Sequence, residues 1–300
     1  MADSAPGRSR VLAVLRAVRA HQWVKNLLLF VPILLDHRLF ERDVMLRGVI
    51  AFVAFCLAAS GGYVLNDLMD LEADRHHPAK RDRPFASSTL PVATGIILAP
   101  LLLAASIVIG ATLLPREFLA LLLLYIVMTA AYSSYLKRIA VLDVLLLAGL
   151  YTLRVLAGVA ASGVRFSTWL LAFAMFLFLS LAFLKRHAEL LALAPDQPVS
   201  LRRRGYLTGD VQWLGTMGSA SGYLAVLVLA LYLNSDEVVR LYRKPTVLFL
   251  VCPLLLFWTG RMWLLAHRGQ IHEDPIVASA RDPASYIVAA LVGLVLYAAL

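Results

Sequence analysis

Charge is scarce in this chain: 16% of its 300 residues are Asp, Glu, Lys or Arg, against about 25% in a soluble domain. That is too little polar surface for a water-soluble fold of this length. Cysteine is scarcer still. Cys56 and Cys252 are the only two, each inside an apolar run, which excludes a disulfide framework and a cysteine metal site. There is no Gly-x-Ser-x-Gly, no Gly-rich phosphate loop of the Walker type and no His/Cys metal pattern. Serine-hydrolase and ATP-driven pump chemistry lose support accordingly. The chain also lacks low-complexity tracts, a soluble second domain and any short internal repeat. Its two long polar loops fall at corresponding places in the two halves, a weak sign of repeated helix pairs.

Apolar residues are what it has in quantity: 61% of the chain, with a mean hydropathy of +0.78. Runs near the ~20 residues needed to cross a bilayer are expected at about 23–40, 44–65, 91–114, 117–136, 141–161, 167–184, 212–233, 246–266 and 284–300. The fold class predicted is an all-α membrane protein. About nine transmembrane helices form a bundle with a central cavity open to the cytosol. The first run is the weakest, broken by Pro32 and Asp36. Arg8, Arg10, Arg16, Arg19 and Lys25 flank it, and no small-residue cleavage site follows, so no cleavable signal peptide is expected. With nine spans, 19 of the 28 Lys and Arg residues fall on one side. The positive-inside rule makes that side the cytosol of a plasma-membrane protein, with the N-terminus and both long loops facing it. Residues 8–20 alternate Arg with Val and Leu and read as a basic amphipathic helix on anionic lipid or as a topology signal. The domain division expected is a cytosolic arm over 1–22 and a single membrane domain over 23–300. The net charge of +9 is therefore read as topology and lipid contact; a nucleic-acid partner is not expected.

The densest chemistry follows the second run: Asn66-Asp67-Leu68-Met69-Asp70-Leu71-Glu72-Ala73-Asp74. On a helix, Asn66, Asp67, Asp70 and Asp74 fall within an arc of about 100°, and Glu72 points away. Like charges at this spacing repel by roughly 0.2–0.5 kcal/mol per pair, so a shared cation is expected. Oxygen donors alone favour a hard ion, Mg²⁺ held jointly with phosphate. Asn66, Asp70 and Asp74 are the expected metal ligands, and Asp67 lies behind them or joins them. The alternative is a solvated helix end with salt bridges to Arg75 and Lys80.

Cations surround this motif in the sequence. Arg75-His76-His77-Pro78-Ala79-Lys80-Arg81-Asp82-Arg83-Pro84 follows it at once. This loop reads as a diphosphate clamp stiffened by two prolines, as a positive-inside signal, or both. Adjacent His76 and His77 make no zinc site. Tyr132 to Arg138 closes the fourth run, Lys185-Arg186-His187-Ala188-Glu189 closes the sixth, and Arg202-Arg203-Arg204 reads as a lipid-facing patch. Arg154 stands inside the fifth run, eleven residues past Asp143 and on nearly the same face. A charge there costs about 2.5–3.5 kcal/mol on insertion scales. It is a functional candidate or half of a buried Arg–Asp pair. The candidate substrate contacts are Lys25, Tyr63, Arg75, Lys80, Arg83, Tyr132, Lys137, Arg138, Asp143, Arg154, Lys185 and Arg186.

These pieces resemble the UbiA superfamily of intramembrane prenyltransferases: the span count, Asn-Asp-x-x-Asp-x-x-x-Asp after the second span, and Lys-Arg after the fourth. The resemblance covers nearly the whole chain. Most members carry a second motif, Asp-x-x-x-Asp, after the sixth span, where this chain has Lys185 to Glu189. It is similar instead to the decaprenyl-phosphate phosphoribosyltransferase branch, through Gln22-Trp23-Val24-Lys25-Asn26, His77 to Pro84, Lys185 to Glu189, and Arg268 to Pro275. That resemblance implies an Mg²⁺-dependent transferase of cell-wall arabinogalactan biosynthesis. Its donor would be phosphoribosyl pyrophosphate and its acceptor a polyprenyl phosphate. Lys80, Arg83, Lys137 and Arg138 would neutralise the leaving pyrophosphate, Lys185 and Arg186 the donor's other phosphate, and Lys25 with Arg154 the lipid phosphate. A prenyl diphosphate donor with an aromatic acceptor, and a transporter of anionic lipids or metabolites, are the competing readings. The oligomeric state is left open.

Overall fold

The computed structural model describes residues 6–76, 80–164, 167–192, 205–271 and 274–300. His77, Pro78, Arg202 to Arg204, His272 and Glu273 lie outside them. Helices in chain order are α1 (Pro6–Ala17), α2 (Val31–Leu35), α3 (Arg42–Met69), α4 (Leu71–Arg75), α5 (Val92–Leu113), α6 (Arg116–Ser134), α7 (Leu142–Ser162), α8 (Thr168–Leu191), α9 (Val211–Leu233), α10 (Asp236–Leu241), α11 (Val251–His267), α12 (Pro275–Ser279) and α13 (Pro283–Ala299).

Among the described residues, seven helices are long and apolar enough to cross a membrane: α3, α5, α6, α7, α8, α9 and α11, the last two counted with the 3₁₀ turns that lead into them. The first and last expected spans are shorter apolar helices among the described residues, Ala20–Leu35 and Pro283–Ala299. The first is mostly a 3₁₀ segment, Ala20–Phe30. Pro32 has no N–H to continue an α-helical ladder, and Val31 N–H bonds the Leu28 carbonyl three residues back. Lipid-facing character is visible on the long helices, where Ile96, Ile97, Leu101 and Val108 of α5 are exposed. Their backbone polar groups are satisfied within the helix, as hydrocarbon requires.

Two compact units make up the chain. Residues Met1–Ser133 with Leu153–Arg165 form one, and Ser134–Thr152 with Phe166–Leu300 the other, so the division falls within α7.

In the first unit the buried face of α3 is built from small residues: Ala51, Ala54, Ala58, Ser60 and Gly61. Helices in lipid gain little from hydrophobic burial and associate through close packing instead. A Cβ on Gly61 would sit 3.1 Å from the Ala99 carbonyl oxygen of α5, and one on Gly158 of α7 would sit 2.1 Å from the Leu29 carbonyl oxygen. Phe55 packs on Phe118 and Tyr125, with ring centroids 5.8 and 5.0 Å away. The arm helix α1 docks through Ala13 and Ala17 against Val64, Phe85, Leu90 and Ala99, leaving Val11, Leu12 and Leu15 exposed. It ends where Arg19 turns left-handed at φ 52°, a conformation uncommon for a non-glycine residue.

The second unit packs α8, α9 and α11 through Gly218 and Gly222, a small-xxx-small pair. Cβ atoms there would collide with Trp263 (2.2 Å) and Thr259 (2.5 Å). Trp263 Nε1 donates to Ser180 Oγ at 3.0 Å. Tyr232 and Tyr242 lie with α9 and α10 near Ala299 of α13. Burial pushes the Tyr242 phenol up to about 12.

Candidate active site

The acidic motif in the first unit is not one helix. Helix α3 ends at Met69, Asp70 forms the joint (φ −93°, ψ 8°), and α4 resumes at Leu71. The ladder survives across the joint, because Asp70 N–H bonds the Asn66 carbonyl at 2.9 Å and Asp74 N–H the Asp70 carbonyl at 2.8 Å. Asn66 and Asp70 therefore stay adjacent, with Asn66 Nδ2 donating to Asp70 Oδ2 at 3.2 Å. Both are half-buried. Asp67 and Asp74 are buried, each side chain 3% exposed.

Two buried carboxylates need counter-charge, and three cations supply it. Arg83 Nη1 lies 3.1 Å from Asp67 Oδ1 and 2.5 Å from Asp74 Oδ2. Arg19 Nη2 lies 2.6 Å from Asp67 Oδ1, its guanidinium 4.9 Å above the Tyr63 ring. Lys80 Nζ stands 4.0 Å from Asp74 Oδ1. Arg83 is held by a turn: its N–H bonds the Lys80 carbonyl, and its own carbonyl accepts from Ser87 N–H. Phe85, 1% exposed, anchors that turn in the core. Arg75 is turned away from the cluster and pairs with exposed Glu72 at 3.0 Å, while His76 Nδ1 contacts the Glu72 carbonyl.

Among the described residues no group of three or more Asp, Glu, His or Cys side chains is arranged as a metal site. Asp67 and Asp74 are engaged by arginine. Beside them, the Asn66 amide oxygen and the half-buried Asp70 carboxylate are hard oxygen donors. That donor set fits Mg²⁺ completed by phosphate and water oxygens. Asp74 can join them where Arg83 yields it.

Arg154 does not pair with Asp143. In the first unit its Nε donates to Asn26 Oδ1 at 2.9 Å, its Nη2 to Tyr125 OH at 3.0 Å, and its guanidinium lies 4.8 Å over the Tyr125 ring. At 4% exposure it is an internal brace between α7, α6 and the 3₁₀ segment. Its expected contact with lipid phosphate stays a proposal beside this structural role. Lys25, one residue before Asn26 on that segment, is buried at 7% exposure. Tyr132 is half-buried near the end of α6.

The second unit holds a separate network. Asp143 is fully buried. It accepts from Arg186 Nε and, at 2.7 Å, from Tyr206 OH. Arg186 also pairs with Glu189 and is 2% exposed, so the fold engages it with two carboxylates, and its expected phosphate contact stays a proposal. Burial and the Asp143 carboxylate raise the Tyr206 phenol far above its ordinary value. The phenol oxygen also accepts from Val141 N–H at 2.9 Å. Gly205 (φ 72°) brings Tyr206 in, since a Cβ there would lie 2.7 Å from the Arg138 carbonyl. The 3₁₀ turn Leu136–Arg138 leaves Lys137 half-buried and Arg138 exposed. Lys185 differs from its neighbour Arg186. Its side chain is 23% exposed, and Nζ donates to Asp274 Oδ2 at 3.1 Å.

Arg19, Tyr125, Tyr206 and Asp274 are the residues that sequence reasoning missed. Of these only Asp274 carried a local signal: Asp before Pro275 is the start of a helix, and its side chain does cap α12.

Residues 41–275 match the family model described as the UbiA prenyltransferase family. The chain is 40% identical over 283 residues to the uncharacterized protein y4nM of Sinorhizobium fredii, covering 93% of this chain and spanning only about half (54%) of that relative's length. It is 36% identical to the nodulation protein NoeC of Azorhizobium caulinodans, covering 90% of this chain and 88% of that one. It is 39% identical over 222 residues to the decaprenyl-phosphate phosphoribosyltransferase of Mycolicibacterium smegmatis, covering 72% and 69% of the two chains. The solved structure of a UbiA homolog from Archaeoglobus fulgidus bound to GPP and Mg²⁺ shares the fold, with a TM-score of 0.71 at 16% identity over 95% of this chain and 98% of that one. The chain belongs to the UbiA prenyltransferase family.

Proposed function

We propose that this membrane transferase moves a 5-phosphoribosyl group from phosphoribosyl pyrophosphate to a polyprenyl phosphate and releases pyrophosphate. The observation that carries the reading is Lys185 at the end of α8, where the family's second acidic motif would stand. A soluble donor with a phosphate at each end needs cations there rather than carboxylates. The 39% identity to a relative named for this reaction supports it.

Asn66, Asp70 and Asp74 would hold Mg²⁺, which supplies charge to the departing diphosphate when bound. Arg83 and Lys80, already beside Asp74, neutralise pyrophosphate as it leaves. Within the second unit, Lys137, Arg138 and Lys185 are the candidate phosphate contacts. The bond between the anomeric carbon and the diphosphate oxygen breaks with its electron pair on the oxygen. A bond to the lipid phosphate oxygen forms on the opposite face. That oxygen is anionic near neutral pH, so no general base is needed. The protein's part is positioning and charge stabilisation. The positive-inside bias supports a cytosolic, plasma-membrane placement of the acidic motif.

A prenyl diphosphate donor is the second reading, favoured by the acidic motif and by the GPP bound to a protein of the same fold. A transfer assay decides between them. Purified protein in detergent receives labelled phosphoribosyl pyrophosphate and a polyprenyl phosphate, with Mg²⁺ or with EDTA. Label is expected in the organic phase only with Mg²⁺, and at least about a hundredfold less with Asp70→Ala. No label from this donor, with transfer from a labelled prenyl diphosphate to an aromatic acceptor, would overturn the phosphoribosyl reading.

A further inference from the structure

Asp274 lies just before α12, in the last polar stretch of the chain, and three elements converge on its carboxylate. Tyr151 OH of α7 lies 3.1 Å from Oδ1 and 3.0 Å from Oδ2. Lys185 Nζ of α8 lies 3.1 Å from Oδ2, and Ile276 N–H lies 3.2 Å from Oδ1. The donors are 123 and 89 residues away for the two side chains. The Asp274 side chain is 5% exposed, so its oxygens are turned inward and spent on the protein's own donors. It is poorly placed to accept from a sugar hydroxyl. Its effect passes through Lys185, whose 23% exposure makes it the part of this cluster that meets solvent.

A lysine's flexible four-carbon stem carries considerable rotamer entropy. An ammonium meant for one phosphate oxygen must give that up. A fixed carboxylate, itself clamped by a tyrosine and a helix cap, takes up that cost in advance of binding. Arg186, one residue on, is 2% exposed and given to Asp143 and Glu189, so it cannot substitute.

We propose that Asp274 is the positioning residue that fixes the Lys185 ammonium for a phosphate group of the donor. The identity of that donor rests on the phosphoribosyl-transfer reading; the fixing of Lys185 does not.

Asp274→Asn is the informative variant. Asn caps a helix as well as Asp and still accepts from Tyr151, but it removes the charge that holds Lys185. Two measurements are made on the full-length protein, with Lys185→Met and the double variant alongside. In the first, acetic anhydride labels Lys185 at one fixed pH and mass spectrometry follows the rate. Labelling is expected to be several-fold faster in Asp274→Asn. An unchanged rate overturns the proposal whatever the donor is. In the second, KM for phosphoribosyl pyrophosphate is expected to rise about tenfold in Asp274→Asn and in Lys185→Met at nearly constant kcat. The double variant should be no worse than Lys185→Met, because both act through one ammonium. A wild-type KM in Asp274→Asn, a lowered KM, or fully additive losses overturn the positioning role. Faster labelling in a protein that does not turn over phosphoribosyl pyrophosphate leaves Lys185 fixed by Asp274 and removes only the donor reading.

Discussion

A single nitrogen, Arg83 Nη1, bridges Asp67 at 3.1 Å and Asp74 at 2.5 Å. One cation thus spans the two buried carboxylates of a motif that, bare, would repel itself. With Arg19 on the other flank of Asp67, the motif is charge-compensated before any substrate arrives. On the proposed reading, a divalent ion would compete with arginine for Asp74, most effectively when it brings a diphosphate for Arg83 to bind instead.

Arg83→Gln is therefore expected to change metal binding and turnover in opposite directions. Mn²⁺ alone, followed by electron paramagnetic resonance, should bind on the order of tenfold tighter because Asp74 is released, a gain of about 1.4 kcal/mol. Transfer should fall, because the leaving diphosphate loses a counter-charge. Unchanged Mn²⁺ affinity would show that Arg83 and the metal do not share Asp74.

Arg154→Met should cost stability rather than substrate affinity. It strands the Asn26 amide oxygen and the Tyr125 hydroxyl, each deprived of its guanidinium bond. A buried unsatisfied group costs about 1–3 kcal/mol, so a clear drop in the detergent melting temperature is expected, with KM for both substrates near wild type in the folded fraction. A stable variant with a raised KM for the lipid phosphate would support the lipid-contact role instead.

Tyr206 predicts an alkaline limit. Its phenol is raised in the folded protein by burial and by Asp143, so the fold favours the protonated form. The sign follows: the contribution is whole below the ordinary tyrosine value of about 10 and is lost as pH climbs from there through the higher folded value. Melting temperature against pH should turn down above about 10 in wild type. Tyr206→Phe should be less stable at neutral pH and show a shallower decline; an identical pH profile would remove Tyr206 from this role.

Gly158→Ala tests the close approach in the first unit. The added methyl would lie 2.1 Å from the Leu29 carbonyl oxygen, and backbone cannot swing aside as a flexible side chain does. Overpacking of this kind costs about 1–3 kcal/mol, read as a lowered melting temperature. Gly260→Ala, with nothing within 4 Å of the new atom, is the control and should melt like wild type.

The chemistry legible in the sequence was the chemistry that is local. Asn66 to Asp74 and the cations up to Arg83 lie within one short stretch, so helical periodicity alone brought the acidic face into view. It did not foresee the joint at Asp70, because nothing in Met69-Asp70-Leu71 breaks a helix by propensity. The long spans were legible from hydropathy, as was the apolar helix Pro283–Ala299, while Ala20–Phe30 became a 3₁₀ segment under Pro32. Arg154 and Asp143 looked like partners because one helix face carries both. Each found a partner on another element instead, and contacts spanning 128 residues (Arg154–Asn26) or 43 (Arg186–Asp143) leave no periodic trace. Arg19 is expected as a topology charge, and the structure ends its guanidinium on Asp67.

That last contact changes what the arm is. Helix α1 rests on the first unit through two alanines and passes directly into the residue that neutralises Asp67. Trimming the chain to begin at the first apolar segment would look like removal of a dispensable tail. It would excise a counter-charge from the acidic motif, and the shortened protein would have to be judged as a variant of the candidate site.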